Sequence, residues 1–287
     1  MASPQALQVN AHAPSRPALD TFPKLLLNHA AVRGNRPAMR EKDLGIWQTW
    51  SWAEVAAEVR AIACGLAARG FARGDRLAII GDNRPRLYWS MAAAQCLGGV
   101  PVPLYQDAVA EEMVFVLQDA GARFAVVEDQ EQVDKLLEIR DRLPTLTHII
   151  YDDPRGMRHY QHDGLHSFAE VLGDGRVHHD EHPHFFQSEV DGVGADDIAI
   201  MLYTSGTTGN PKGVAHTYHS MIVTARNSIE AEGLSDQEEV LAYLPMAWVG
   251  DNLFSYAQSM VAGFCVSCPE SSETVMTDMR EIGPTYY

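Results

Sequence analysis

The sequence predicts an α/β fold, parallel sheets flanked by helices, on three observations. Short apolar runs alternate with helical patterns, one helix opens with a capping box, and Gly, Asp and Asn punctuate the ends of the runs. Ser51-Trp52-Ala53-Glu54 has the capping-box form, and Val55, Val59, Ile62 and Leu66 recur at helical spacing until Gly70. Gly74-Asp75-Arg76 then leads into Leu77-Ala78-Ile79-Ile80, apolar on both faces, as a parallel strand covered by helices must be. A second helix is expected over 86–97, a strand over 100–104, a helix from about 108 to 119 with Asp107 as its cap, and a strand over 124–127. A polar helix near 131–140 and the run His148-Ile149-Ile150-Tyr151 continue the alternation. From Asp152 to Asp197 the chain turns acidic, Gly-rich and His-rich, so the expectation there is a surface excursion with one short helix around 167–172. Strand character returns at 198–202, and a helix is expected through Met221, Ile222, Ala225 and Ile229, just behind His216 and His219.

Composition narrows the function classes. The 287 residues suit one large domain or two ordinary ones, and 46% hydrophobic residues suffice for a sizeable core. The 22 basic residues against 38 acidic ones give a formal charge of -16, and with no Lys/Arg cluster this excludes nucleic acid as a partner. Residues 1–20 read as a flexible tail without the basic start and apolar run of a signal peptide. The longest apolar stretch, 241–268, is interrupted by Pro245, Asp251 and Asn252, so any membrane contact would be peripheral. Cys64, Cys96, Cys265 and Cys268 make no disulfide framework, and a cytoplasmic location fits best. Cys265 and Cys268 have redox or zinc spacing, but their apolar neighbours point to buried thiols.

Chemistry concentrates in Tyr203-Thr204-Ser205-Gly206-Thr207-Thr208-Gly209-Asn210-Pro211-Lys212-Gly213-Val214. The segment holds three glycines, four hydroxyl side chains beyond the tyrosine and one lysine, directly after a strand. Glycines let a backbone approach an anion, successive N–H groups form a concave donor site, hydroxyls add donors, and Lys212 brings a mobile positive charge. It is not a Walker A loop, because Pro211 stands where that pattern requires glycine. The plainer alternative is a Gly/Ser/Thr-rich turn joining a strand to a helix.

This segment resembles the phosphate loop of the AMP-forming, adenylate-forming superfamily of acyl- and aryl-CoA ligases, luciferase-like enzymes and peptide-synthetase adenylation domains. Trp50-Ser51-Trp52-Ala53-Glu54, Gly74-Asp75-Arg76, Asn83-Arg84-Pro85 and Gly99-Val100-Pro101-Val102-Pro103-Leu104 are similar to further landmarks of that family, in its order. Leu244-Pro245-Met246 and Glu273-Thr274-Val275-Met276 are similar to its long-chain fatty acyl-CoA synthetase branch. The resemblance implies that Ser205, Gly206, Thr207, Thr208, Gly209 and Lys212 hold the phosphates of ATP, and that Thr204 helps bind Mg²⁺. Thr204 and Lys212 would be the groups closest to the chemistry. Many relatives carry a histidine three residues after the Pro of the second motif; here it is Trp248, expected either to wall an apolar acyl tunnel or to pack in the core with Val249, Leu253 and Phe254.

What the resemblance implies about function is the activation of a long-chain fatty acid by ATP, through acyl-adenylate, to the thioester of coenzyme A. An aryl- or amino-acid-activating enzyme and a non-catalytic nucleotide-binding module are the alternatives. The family's adenine-binding segment, ribose-binding aspartate, hinge and C-terminal lysine lie beyond the position matching Tyr287, so residues 21–287 are expected to form an incomplete N-terminal domain with weak nucleotide affinity and no turnover alone. One constellation lies outside this scheme. Seven of the twelve histidines fall between His159 and His184, and zinc accepts such ligands, but Pro183 is expected to break any helix that could align them.

Overall fold

The computed structural model describes residues 18–204 and 210–287. Helix α1 (Phe22–Arg33) starts at Thr21, whose hydroxyl accepts a hydrogen bond from the Lys24 N–H at 3.4 Å. Strands β1 (Pro37–Asp43) and β2 (Ile46–Ser51) form a hairpin turned by Leu44 and Gly45, both at positive φ. Ser51 ends β2 and caps α2 (Trp52–Ala68). Its Oγ accepts from the Glu54 N–H at 3.3 Å, and its own N–H donates to the Glu54 carboxylate at 2.8 Å, the expected capping box.

The alternation then proceeds as read from the sequence through β3 (Arg76–Ile80), α3 (Pro85–Cys96), β4 (Val100–Leu104), α4 (Ala110–Ala120), β5 (Phe124–Val127), α5 (Gln130–Glu138) and β6 (His148–Tyr151), and a further strand, β7 (Leu165–Ser167), is added to it. These five strands make one parallel sheet in the order β4-β3-β5-β6-β7. Period-two alternation divides their side chains between two cores. Leu77, Ile79, Phe124, Val126 and Ile150 pack with α2 and α3 on one face, while Ala78, Ile80, Ala125, Val127 and Ile149 pack with α4 and α5 on the other.

Two expectations need correction. Asp107 does not cap α4; Val109 occupies the N-cap without a side-chain bond, and the helix is set instead by Met113, Val114 and Leu117 facing the core and by Gly121 at φ +64 ending it. The segment 152–197 is not a mere surface excursion, for β7 joins the sheet and two helices follow, α6 (Phe168–Glu181) and α7 (Phe185–Asp191). Ser167 and Glu170 form a second capping box at the start of α6. The glycines that lower its helical propensity are what seat it: a Cβ on Gly175 would lie 1.8 Å from the Ala61 carbonyl oxygen, and one on Gly65 would lie 2.2 Å from that of Val171. The backbones of α2 and α6 thus meet at Gly65 and Gly175, with the Arg69–Asp174 ion pair at 2.7 Å beside them.

Strands β8 (Ile198–Thr204) and β9 (Lys212–Thr217) pair antiparallel, and Thr217 caps α8 (Tyr218–Glu232). The remaining elements are β10 (Glu239–Leu241), α9 (Val249–Asp251), a π-helical turn (Asn252–Ala257), α10 (Gln258–Ala262), β11 (Cys265–Cys268) and α11 (Val275–Ile282). β10, β11 and β1 run parallel, with β2 antiparallel at the edge, so the first and last strands among the described residues share one sheet. The apolar stretch 241–268 is divided among these pieces, and among the described residues no helix is long and apolar enough to cross a membrane. All four cysteines are free and buried, and burial pushes the Cys265 thiol up to about 12.

Candidate functional site

The Gly- and hydroxyl-rich segment connects two antiparallel strands rather than a strand and a helix, which corrects the plainer reading of it. Thr204 ends β8 and Lys212 begins β9, and the two are Cα partners across the pair, so both sit at the base of the connection with exposed side chains. Ser205, Gly206, Thr207, Thr208 and Gly209 lie outside the described residues. The preceding strand is firmly placed. Gln95 of α3 donates to the Ala199 carbonyl at 2.8 Å, and the Tyr203 hydroxyl donates to Asp119 of α4 at 2.7 Å. Burial first, and then the Asp119 carboxylate, push the Tyr203 phenol above its ordinary pKa, so it stays a donor at all physiological pH.

A cleft of about 450 Å³ opens between this strand pair and α4. Thr204, Asn210 and Pro211 line it from one side, Tyr105, Glu112 and Phe115 from the other, and Ala247 from the Pro245–Trp248 turn. The structure therefore brings the base of the phosphate segment together with the second motif. It does not bring Trp248 into that lining. The indole is 48% exposed, as are Val249 at 54% and Phe254 at 39%, which rules out core packing for these three.

Side-chain amides hold this turn. Asn83 donates to the Leu244 carbonyl at 3.0 Å, and Asn252 donates to the carbonyls of Met246 at 2.7 Å and Trp248 at 2.8 Å. Behind them lies Asp251, wholly buried, which accepts from the Tyr88 hydroxyl at 2.8 Å and from Asn83 at 3.1 Å. Burial pushes its carboxyl up to about 7 against the opposing pull of Tyr88, Ser255 and Asn83. Sequence reasoning noted Asp251 only as a break in an apolar stretch. An acid in such a run was the available signal, and the π-helical turn after it, a feature frequent at functional sites, had none.

The sheet order reverses direction between β3 and β5, where parallel α/β sheets bind ligands outside their carboxyl ends. Here that crevice is bridged by Arg84, which donates to Glu128 at 2.8 Å and to the carbonyls of Pro269 at 2.7 Å and Glu270 at 3.0 Å. Arg84 thereby ties the five-stranded sheet to the β11 end of the other. Glu41 lies alongside, and burial raises it to about 7 although Arg84 pulls the other way.

A metal at Thr204 would find one hydroxyl oxygen, and among the described residues no three His, Cys, Asp or Glu side chains gather for a protein-built cage. That donor set suits a hard cation that keeps water and substrate phosphates as ligands, as Mg²⁺ does.

The profile of the AMP-binding enzyme family matches residues 26–287. The chain is 27% identical over 260 residues to the long-chain-fatty-acid–CoA ligase ACSBG1 of Rattus norvegicus, covering 88% of this chain and 35% of that protein. It is 26% identical over 262 residues to ACSBG2, also a long-chain-fatty-acid–CoA ligase, of Xenopus laevis, with the same coverages of 88% and 35%. The chain thus spans about a third of the length of these curated relatives. Among solved structures it is similar to the anthranilate CoA ligase AuaEII in complex with anthranoyl-AMP, with a TM-score of 0.75 at 21% identity over 92% of this chain and 48% of that one. The N-terminal domain of FACL13 from Mycobacterium tuberculosis gives 0.71 at 24% identity, over 92% of this chain and 61% of that one. At these identities the structural likeness establishes the fold.

Proposed function

The chain belongs to the AMP-binding enzyme family, and from that premise we propose that it carries the triphosphate-gripping part of an AMP-forming ligase that activates a long-chain fatty acid. The observation that carries this reading is the pairing of Thr204 with Lys212 at the base of the hydroxyl-rich connection, beside a cleft also walled by Ala247. Main-chain N–H groups and the hydroxyls of Ser205, Thr207 and Thr208 grip phosphate oxygens, and Gly206 and Gly209 admit them without a Cβ in the way. The Lys212 ammonium neutralises the charge that grows on the departing pyrophosphate as the fatty carboxylate attacks the α-phosphate. Thr204 lends its hydroxyl to Mg²⁺, which when bound supplies further neutralisation of the phosphates.

Trp248, half exposed beside Ala247 but outside the cleft lining, stands where many relatives carry an imidazole, and in this reading its ring would offer the acyl group an apolar wall. The names of the curated relatives support a long-chain acid over an aryl or amino acid. Coenzyme A is the cosubstrate whose thiolate displaces AMP in the complete reaction. That reaction is proposed for the whole protein, since the chain spans about a third of its curated relatives. The same reading places the protein in the cytoplasm, with any membrane contact peripheral.

The test is exchange of labelled pyrophosphate into ATP by the protein that carries this chain. Exchange driven by palmitate supports the proposal. Exchange driven only by benzoate or an amino acid would move the substrate class, and ATP binding without acid-dependent exchange would leave a nucleotide-binding module.

A further inference from the structure

The carboxyl end of α6 holds two histidines that the nucleotide chemistry does not use. α6 ends at Glu181 with His182 as its C-cap, whose N–H donates to the His178 carbonyl at 2.9 Å, so the last helical turn closes beneath His182 before Pro183. The expectation that Pro183 prevents alignment is thereby corrected for this pair. His178 and His182 stand four residues apart on one helix face, and their ring centroids are 4.8 Å apart. His179, one residue on, projects about 100° around the helix. Phe185 packs edge-on against the His178 ring at 4.9 Å and limits its rotation.

Two imidazoles at positions i and i+4 of a helix can share one metal ion, the spacing by which helices offer histidine pairs to zinc. Exposed Asp180 and Glu181 adjoin the pair and contribute negative charge, while Asp174 is taken up by Arg69 and Arg176 by Glu58.

We propose that His178 and His182 form a two-histidine clamp for a borderline divalent transition metal of the Zn²⁺ or Ni²⁺ type, with water completing its coordination. Among the described residues no third protein ligand converges to close a cage, so the site is open to solvent.

Calorimetric titration of Zn²⁺ into the 287-residue chain near neutral pH tests this. One saturable site is expected, weakened about tenfold or more by His178→Ala, by the milder His178→Gln, and by His182→Ala, and retained in His179→Ala and His184→Ala. Zinc should also raise the melting temperature of the parent but not of the His182→Ala chain, whose substitution lies at an exposed helix end. Absence of saturable binding, or equal affinity in His182→Ala, or an equal loss in His179→Ala, would overturn the proposal.

Discussion

Asp251→Asn should remove a pH-dependent cost from the fold. The carboxyl group is wholly buried among neutral donors, Tyr88, Asn83 and Ser255, and its pKa rises from 3.8 to about 7. Between those values the folded chain keeps the proton that the unfolded chain releases. Its stabilising share is therefore complete below about pH 4 and is lost as pH rises through about 7. At roughly 1.4 kcal/mol per pKa unit, the span from 3.8 to about 7 amounts to about 4 kcal/mol. Asparagine has nearly the same shape and does not ionise, so the variant should gain on the parent by about that amount between roughly pH 4 and pH 8. Urea unfolding followed by tryptophan fluorescence, run on both chains at a series of pH values, reads the difference directly. Glu41 titrates in the same range but is common to both chains and cancels. A stability difference that stays constant across the series would refute the reasoning.

Other substitutions probe how the site is supported. Gly175→Ala should destabilise by about 1–3 kcal/mol, because its Cβ would lie 1.8 Å from the Ala61 carbonyl oxygen and force α2 and α6 apart. Gly173→Ala in the same helix meets nothing within 4 Å and should stabilise by about 0.5–1 kcal/mol; thermal melts of the two should move in opposite directions. Lys42→Met removes the partner of buried Asp278, at 2.9 Å, and of Glu281, at 2.7 Å, so amide exchange in α11 should accelerate while that of β3 and β5 stays unchanged.

Four strands of the five-stranded sheet were legible because each is a short, largely apolar run bounded by its own turn residues and needs no distant partner to be recognised, whereas β7, Leu165-His166-Ser167, carries no such run and was missed. Leu77-Ala78-Ile79-Ile80 and Phe124-Ala125-Val126-Val127 emerge as neighbours in register. The second sheet was not legible, since β1 pairs with β11 at Met39 and Val266, and no local pattern reports such a partner. Gly173, Gly175 and the histidines mask the full length of α6 in the sequence pattern. Its helix is decided by contact with Ala61 and Gly65 of α2, a tertiary effect that overrides propensity. In the site, the hydroxyls and Lys212 stood out by residue type and spacing, while the role of Thr204 came from the resemblance; the structure pairs Thr204 with Lys212 at the base of the connection. The support of the Pro245–Trp248 turn by Asn83, Tyr88 and Asp251 was hidden because it spans more than 160 residues of sequence.

Equilibrium dialysis of MgATP against the parent chain and Lys212→Ala most directly tests the claim that residues 204–212 hold a triphosphate. The parent should retain ATP in preference to adenosine, and Lys212→Ala should lose about tenfold or more of that affinity, as expected for an ammonium engaged with phosphate. Equal retention of ATP by both chains, or retention of adenosine as strong as that of ATP, would contradict it.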